Sequence, residues 1–247
     1  MRFQDHFSAQ AGEYARFRPR YPVALFERLA SMTPGQRLAW DCGTGSGQAA
    51  VALAGHFERV IASDPSAEQI AHAAPYPRVQ YRVGPAEEPP VEARGADLAS
   101  CVQALHWFDH ARFYPALRAV LKPDGVFAAW GHGLTQIAPA VDAVVLDHYA
   151  NVVGRCWPPD RAHIESRYRT TPFPLTEIAA PDFAMTADWS LAALLGYLDT
   201  WSATRRCLAA EGVHPLERIR ERLAEAWGGA ATRTVAWPLF LRVGRFA

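Results

Sequence analysis

The chain has 247 residues and half of them are hydrophobic, enough for one large core or two small ones. Lys and Arg number 25 against 25 Asp and Glu, and without a basic run this balance excludes an electrostatic nucleic-acid surface. No apolar run approaches membrane-spanning length, and no signal-peptide core opens the chain, so a cytoplasmic protein with neither membrane nor nucleic acid as partner is expected. Cys42, Cys101, Cys156 and Cys207 are widely separated and lack metal-ligand spacing. They are expected as reduced thiols, and no metal site is expected. Internal repeats and low-complexity segments are not found.

In chain order, Phe3, Phe7, Ala11, Tyr14 and Phe17 fall at helical spacing and predict an amphipathic helix. It ends at Arg18-Pro19-Arg20-Tyr21-Pro22, where two prolines force extended backbone. Phe3 and Phe7 read as packing residues; Tyr14, Arg18 and Tyr21 are candidates for a lid over a ligand. A second helix over 23–32 leads through Thr33-Pro34-Gly35 into the run Leu38-Ala39-Trp40-Asp41-Cys42-Gly43-Thr44-Gly45-Ser46-Gly47-Gln48. An apolar strand ending in an acid, a loop with glycine at every second position and an alanine-rich helix make a nucleotide-type site. A dinucleotide fingerprint needs G-x-G-x-x-G/A, but here the third glycine comes one residue early and Gln48 stands where it should be. The pattern is instead D-x-G-x-G-x-G, with an acid two residues before the first glycine.

A second buried strand over 59–64 ends in Asp64-Pro65-Ser66, and Asp64 lies 17 residues beyond Gly47. That interval suits an acid that accepts from ribose hydroxyls. Helix capping is the competing role, and Ser66 is the better candidate for it. The third strand, 79–83, runs into the loop Gly84-Pro85-Ala86-Glu87-Glu88-Pro89-Pro90. A fourth, 96–102, is followed by Gln103-Ala104-Leu105-His106-Trp107-Phe108-Asp109, polar and aromatic residues gathered past a central strand. A helix over 110–121, the turn Lys122-Pro123-Asp124-Gly125 and a fifth strand over 126–130 complete this half.

The D-x-G-x-G-x-G loop, the G-x-A-E-x-x-P segment of 84–90 and L-K-P-D-G at 121–125 span about residues 36–131 in order. Together they resemble the class I methyltransferases that use S-adenosyl-L-methionine (SAM). The flanking Tyr14-x-x-x-Arg18-Pro19-x-Tyr21-Pro22 and Ala104-Leu105-His106-Trp107-Phe108 are similar to the type 11 methyltransferases related to trans-aconitate methyltransferase. The resemblance implies an α/β fold: a doubly wound, mostly parallel seven-stranded Rossmann-like sheet with a C-terminal antiparallel hairpin and a helical cap. It implies SAM as cofactor, held by Asp41, Gly43, Thr44, Gly45, Gly47, Asp64, Pro65, Ala86, Glu87 and Gln103. Gln103 and His106 are the catalytic candidates at the methyl-transfer end.

Past Gly131 the parallel rhythm stops. Helices are expected over 136–156, 161–169, 191–210 and 215–227, with strands over 175–185 and 232–242. Trp237-Pro238 interrupts the last strand and places it at an edge or a bulge. Residues 1–131 thus form lid helices and the SAM-binding half; 132–247 form the cap insertion and final strands of the same sheet, a single domain overall. The acceptor is expected to meet Tyr14, Arg18, Tyr21, His106, Trp107, Trp130, Trp201 and Arg205; Arg161 and Arg206 are further cationic candidates. A carboxylic acid acceptor would be ionised at neutral pH and need a cation, whereas a phenol or amine would profit from a base such as His106. A small-molecule methyltransferase, monomeric or homodimeric, is the reading. A nicotinamide oxidoreductase and a non-catalytic SAM-binding module are the alternatives.

Overall fold

The computed structural model describes residues 19–247. The proposed first helix, with Tyr14 and Arg18, lies outside the described residues. Helix α1 (Val23–Met32) buries Leu25, Phe26, Leu29, Ala30 and Met32, an apolar stripe at three- and four-residue spacing. It stops at Thr33, whose hydroxyl bonds back to the Ala30 carbonyl at 2.7 Å. Pro34 follows and disfavours a helical residue before it. Strand β1 (Leu38–Cys42) is buried at all five positions, as a strand covered on both faces should be. Then come α2 (Gln48–Leu53), β2 (Arg59–Asp64), α3 (Ala67–His72), β3 (Val79–Val83), β4 (Ala96–Val102), α4 (His110–Val120) and β5 (Leu121–His132).

The second half contributes α5 (Pro139–Asp147), α6 (Arg161–Glu165), β6 (Thr176–Glu177), β7 (Phe183–Trp189), α7 (Leu191–Asp199), α8 (Ser202–Glu211), α9 (Arg220–Trp227) and β8 (Arg233–Arg245). The sheet runs β3-β2-β1-β4-β5-β8-β6, with β7 also paired to β8. β1 through β5 pair in parallel, whereas β8 is antiparallel to β5, β6 and β7. Chain order reverses at the β1–β4 pair, so the crevice beyond the carboxyl ends of these two strands is the expected ligand position. Apolar side chains on one sheet face pack on α1 and α2, and those on the other pack on α4.

The doubly wound, mostly parallel architecture agrees with the expectation, but the strand count is eight, not seven. The expected strand over 175–185 is split because Pro181, without an N–H, interrupts pairing between Glu177 and Phe183. Pro238 does not break β8. It pairs with Ala184 of β7, while pairing to β5 begins only at Leu239, so the proline lies just past the end of the β5 ladder. The expected helix over 136–156 is three pieces: α5, a wider turn over His148–Val152 and a tighter turn over Gly154–Cys156. The expected helix over 191–210 is likewise split, at Thr200 and Trp201, into α7 and α8.

Two cysteines also correct the expectation of reduced thiols. Cys156 and Cys207 form a disulfide between the Gly154–Cys156 turn and α8, beside buried Val153 and Ala203. Cys42 and Cys101 are free and buried. Reduced cysteines therefore no longer support the expected compartment. Among the described residues no helix is long and apolar enough to cross a membrane.

Candidate methyl-transfer site

The glycine loop leaves β1 under tight backbone control. Gly43 and Thr44 donate their N–H groups to the Ser63 carbonyl of β2 at 2.8 and 3.0 Å. Gly43 and Gly47 have φ of 68° and 86°, in the left-handed region that side chains disfavour. A Cβ at Gly43 would lie 2.6 Å from Cβ of Ala104, and one at Gly47 would enter the Tyr81 ring. Both positions therefore need glycine for space as well as for φ. Gly45 differs: a Cβ there would meet only Gln69 Oε1, at 3.9 Å, so this side of the loop is open to a ligand.

Two carboxylates frame the loop. Asp41 is 1% exposed. Its oxygens accept from the Ser100 hydroxyl at 2.6 Å and the Thr44 hydroxyl at 2.5 Å. Burial raises its carboxyl from 3.8 to about 6, the two hydroxyls oppose that rise, and the charge of Asp64 adds to it. Asp64 accepts from the Gly45 N–H and the Ser66 N–H, each at 2.9 Å. Ser66, not Asp64, caps α3 by accepting from the Gln69 N–H at 3.2 Å. Asp64, followed by Pro65, is thus left at the end of β2 facing the loop. Gln48, the residue that spoils a dinucleotide fingerprint, donates to the Pro19 carbonyl at 2.8 Å and ties the lead segment to the start of α2.

Ala86 is buried, and the Glu87 carboxylate accepts from the Asp109 N–H at 2.6 Å. Glu87 therefore joins the loop after β3 to the loop after β4, and Asp109 in turn caps α4 through the Ala111 N–H at 3.1 Å. Gln103 stands at the carboxyl end of β4 with φ 55°, its N–H on the Trp130 carbonyl at 2.9 Å. A left-handed non-glycine residue at this place points its side chain off the strand direction and is a common mark of function.

His106 follows on a short turn (Leu105–Trp107) anchored by His110 Nε2 on the Leu105 carbonyl at 2.9 Å. Its Nδ1 lies 3.3 Å from the Tyr168 hydroxyl, and its ring lies 4.6 Å from Trp107 and 6.2 Å from His163. Burial, reinforced by His163, Arg161 and His110, lowers His106 from 6.5 to about 3, so the imidazole is neutral at physiological pH. Arg161 on α6 lies over the Trp157 ring at 4.7 Å and the Tyr149 ring at 5.4 Å, and its Nε donates to the Tyr149 hydroxyl at 3.0 Å. It forms no ion pair among the described residues, unlike Arg205, which is paired with Asp199.

The other expected acceptor contacts divide. Tyr21 packs edge-on against Phe26 and Trp130, at 6.3 and 5.9 Å. Trp130 itself is fully buried in the core against α1 and offers no surface to a ligand. Trp201 is 7% exposed and packs against Trp157 at 5.6 Å and His148 at 5.8 Å. Trp107 stays beside His106. Tyr168, His163, Tyr149 and Trp157 were missed in the sequence. Trp157 lies in the break between the expected helices over 136–156 and 161–169, and no local pattern marked it as part of a site.

The geometry fits the implied cofactor. The residues that would hold it are Asp41 at its cationic tail, the open face of the loop at Gly45 and Asp64 at the ribose, with Ala86 and Glu87 added by the resemblance. Such a crevice, at the switch point of a doubly wound sheet, defines a SAM-binding methyltransferase fold. Comparison with known proteins agrees. The methyltransferase-domain family model matches residues 40–129. A Dictyostelium discoideum protein named as a methyltransferase is 31% identical, over 97% of this chain and 94% of its own. A Mycobacterium tuberculosis protein named as an uncharacterized methyltransferase is 27% identical over 88% and 85%. A solved structure named as a type II methyltransferase, from Anaeromyxobacter dehalogenans, is 47% identical with a TM-score of 0.88, over 92% and 97%. The chain belongs to the class I SAM-dependent methyltransferase family and is a methyltransferase with SAM as its cofactor.

Proposed function

We propose that the protein transfers the methyl group of SAM to a carboxylate oxygen of a small organic acid, as a relative of the trans-aconitate-type enzymes. The single observation behind this reading is Arg161, a cation without an ion-pair partner among the described residues, held on two aromatic faces beside a neutral histidine. Aromatic stacking desolvates the guanidinium and fixes its plane, which suits two-point binding of a carboxylate. His106, lowered by burial, is too weak a base to take the proton from a phenol, which favours an acceptor that arrives already ionised.

Bound SAM supplies an electrophilic methyl carbon on sulfur. The chain supplies orientation: Asp41 and Asp64 fix one end of the crevice, Gln103 and His106 the other, and Arg161 holds the acid near His106. As the C–O bond forms, the C–S bond breaks, leaving a methyl ester and a neutral thioether, with no proton to remove. Transfer of label from SAM to a panel of small acids, phenols and amines tests this. Methyl esters from acids alone support it. Methylation of phenols or amines alone, or no product despite SAM binding, overturns it, and the latter outcome favours a non-catalytic SAM-binding module.

A further inference from the structure

Tyr168 has no role in the resemblance, yet it is fully buried with its hydroxyl on His106. Its backbone is unusual: Arg167 and Tyr168 are consecutive non-glycine residues with φ of 54° and 59°. Bulky side chains rarely adopt this region, and two in a row need outside support. Arg242 of β8 gives that support, donating to the Tyr168 carbonyl at 2.7 Å and the Thr171 carbonyl at 3.1 Å while pairing with Glu177. The His163 carbonyl accepts from the Tyr168 N–H at 2.8 Å. Phe240 packs edge-on against the Tyr168 ring at 5.2 Å. The ring is thus held from sheet, loop and α6 together.

The direction of the Tyr168–His106 bond follows from donor accounting. The phenolic oxygen has lone pairs that can accept, but its O–H needs an acceptor of its own. Among the described residues His106 Nδ1 is the one acceptor within reach of the phenolic O–H. Were Nδ1 protonated, it would donate to the phenolic oxygen and leave the buried O–H unmatched, a costly arrangement. Tyr168 therefore donates to Nδ1, and the single imidazole proton sits on Nε2. No acceptor for that Nε2–H exists among the described residues.

We propose that Tyr168 is a positioning residue that locks His106 in its Nε2–H tautomer, making it a hydrogen-bond donor to the non-reacting oxygen of the methyl acceptor. This rests on the reading that His106 lines the acceptor site. It assigns His106 the opposite role to a general base: Nε2–H holds one carboxylate oxygen while the other faces the methyl carbon.

Two measurements test it on the full chain. In 15N-histidine-labelled protein without acceptor, His106 should show a protonated Nε2 and an unprotonated Nδ1 between pH 6 and 8. Tyr168→Phe, which removes only the hydroxyl, should shift that signature toward a mixture of tautomers. In kinetics with an acid from the panel, Tyr168→Phe should raise the acceptor KM about two- to tenfold, the worth of one hydrogen bond. SAM affinity should stay within about twofold, as for a change distant from that site. His106→Gln keeps a donor that needs no tautomer lock, so Tyr168→Phe should add no KM penalty in that background. A protonated Nδ1 in the wild type, or a Tyr168→Phe protein with unchanged tautomer and KM, overturns the inference. The wild-type spectrum decides even if the variant does not fold. Failure of the acid panel would show as absent ester in the wild type, with the tautomer still readable.

Discussion

Asp41 is buried as an acid whose ionised form is disfavoured until a cation arrives, and this sets a pH dependence. Its carboxyl is raised from 3.8 to about 6, so between those values the folded chain binds the proton more tightly than the unfolded one. Stability contributed by this group is then greatest at low pH and falls as pH rises through the window, by about 3 kcal/mol in total. A ligand ammonium beside Asp41 prefers the ionised form, so SAM affinity should fall as pH drops below about 6, by up to about tenfold per unit. Calorimetric titration with SAM from pH 5 to 8 checks this, and Asp41→Asn should bind more weakly with a flat profile. An affinity independent of pH in the wild type would remove Asp41 from the ammonium's contact. His106 should leave no inflection in kcat over the same range, because it titrates near 3. That Asp41 and Asp64 both stand at the glycine loop was legible in the sequence, because each stands at the carboxyl end of one of two adjacent parallel strands. Tyr168 was not, since its contact to His106 joins residues 62 apart and no local pattern announces it.

Among the elements, the cap shows best what holds Arg161 in place. The Gly154–Cys156 turn is short, and its neighbour Trp157 carries the stacked Arg161. The Cys156–Cys207 disulfide clips this turn to α8 across 51 residues of chain. Closing a loop of that size restricts the unfolded ensemble and stabilises the fold by about 4 kcal/mol. Cys207→Ser should therefore lower the thermal midpoint and raise amide exchange over 148–165, while β1 to β5 stay protected. Unchanged midpoint and exchange would show that the bond contributes nothing to holding the turn beside Trp157 and Arg161. The parallel half was legible element by element, because β1, β2 and β4 are short, mostly buried runs and β3 stops at Gly84-Pro85. The cap was read less well. Helical periodicity continues across Asp147 and Val153, and across Thr200, although the helix changes width or direction there. Those breaks come from packing of the cap against itself, as where the Thr204 hydroxyl bonds both the Leu198 carbonyl and His148.

At the scale of the whole molecule, the sheet joins the cofactor half to the cap half. β8 lies between β5 and the β6 and β7 strands, pairing with β5 over six positions and with β7 over seven. Arg245 at its end also donates to the Met32 carbonyl at the end of α1. If residues 1–131 and 132–247 form one cooperative unit, a ligand held only by the first must stabilise the second. At a SAM concentration of about 100 Kd, linkage gives about 2.7 kcal/mol. For a chain of this size that is a rise of about 5–10 °C in the midpoint. The expected result is one transition, seen alike by the tryptophans of both halves, moved as a whole by SAM and left in place by NAD. Trp40 reports on β1, whereas Trp201, Trp227 and Trp237 report on the cap and β8, so single-tryptophan variants can separate the two. Two transitions, with only the Trp40 signal moved by SAM, would divide the chain into separate folding units. A shift with NAD matching that with SAM would mean that Gln48 and the early Gly47 do not discriminate between the cofactors.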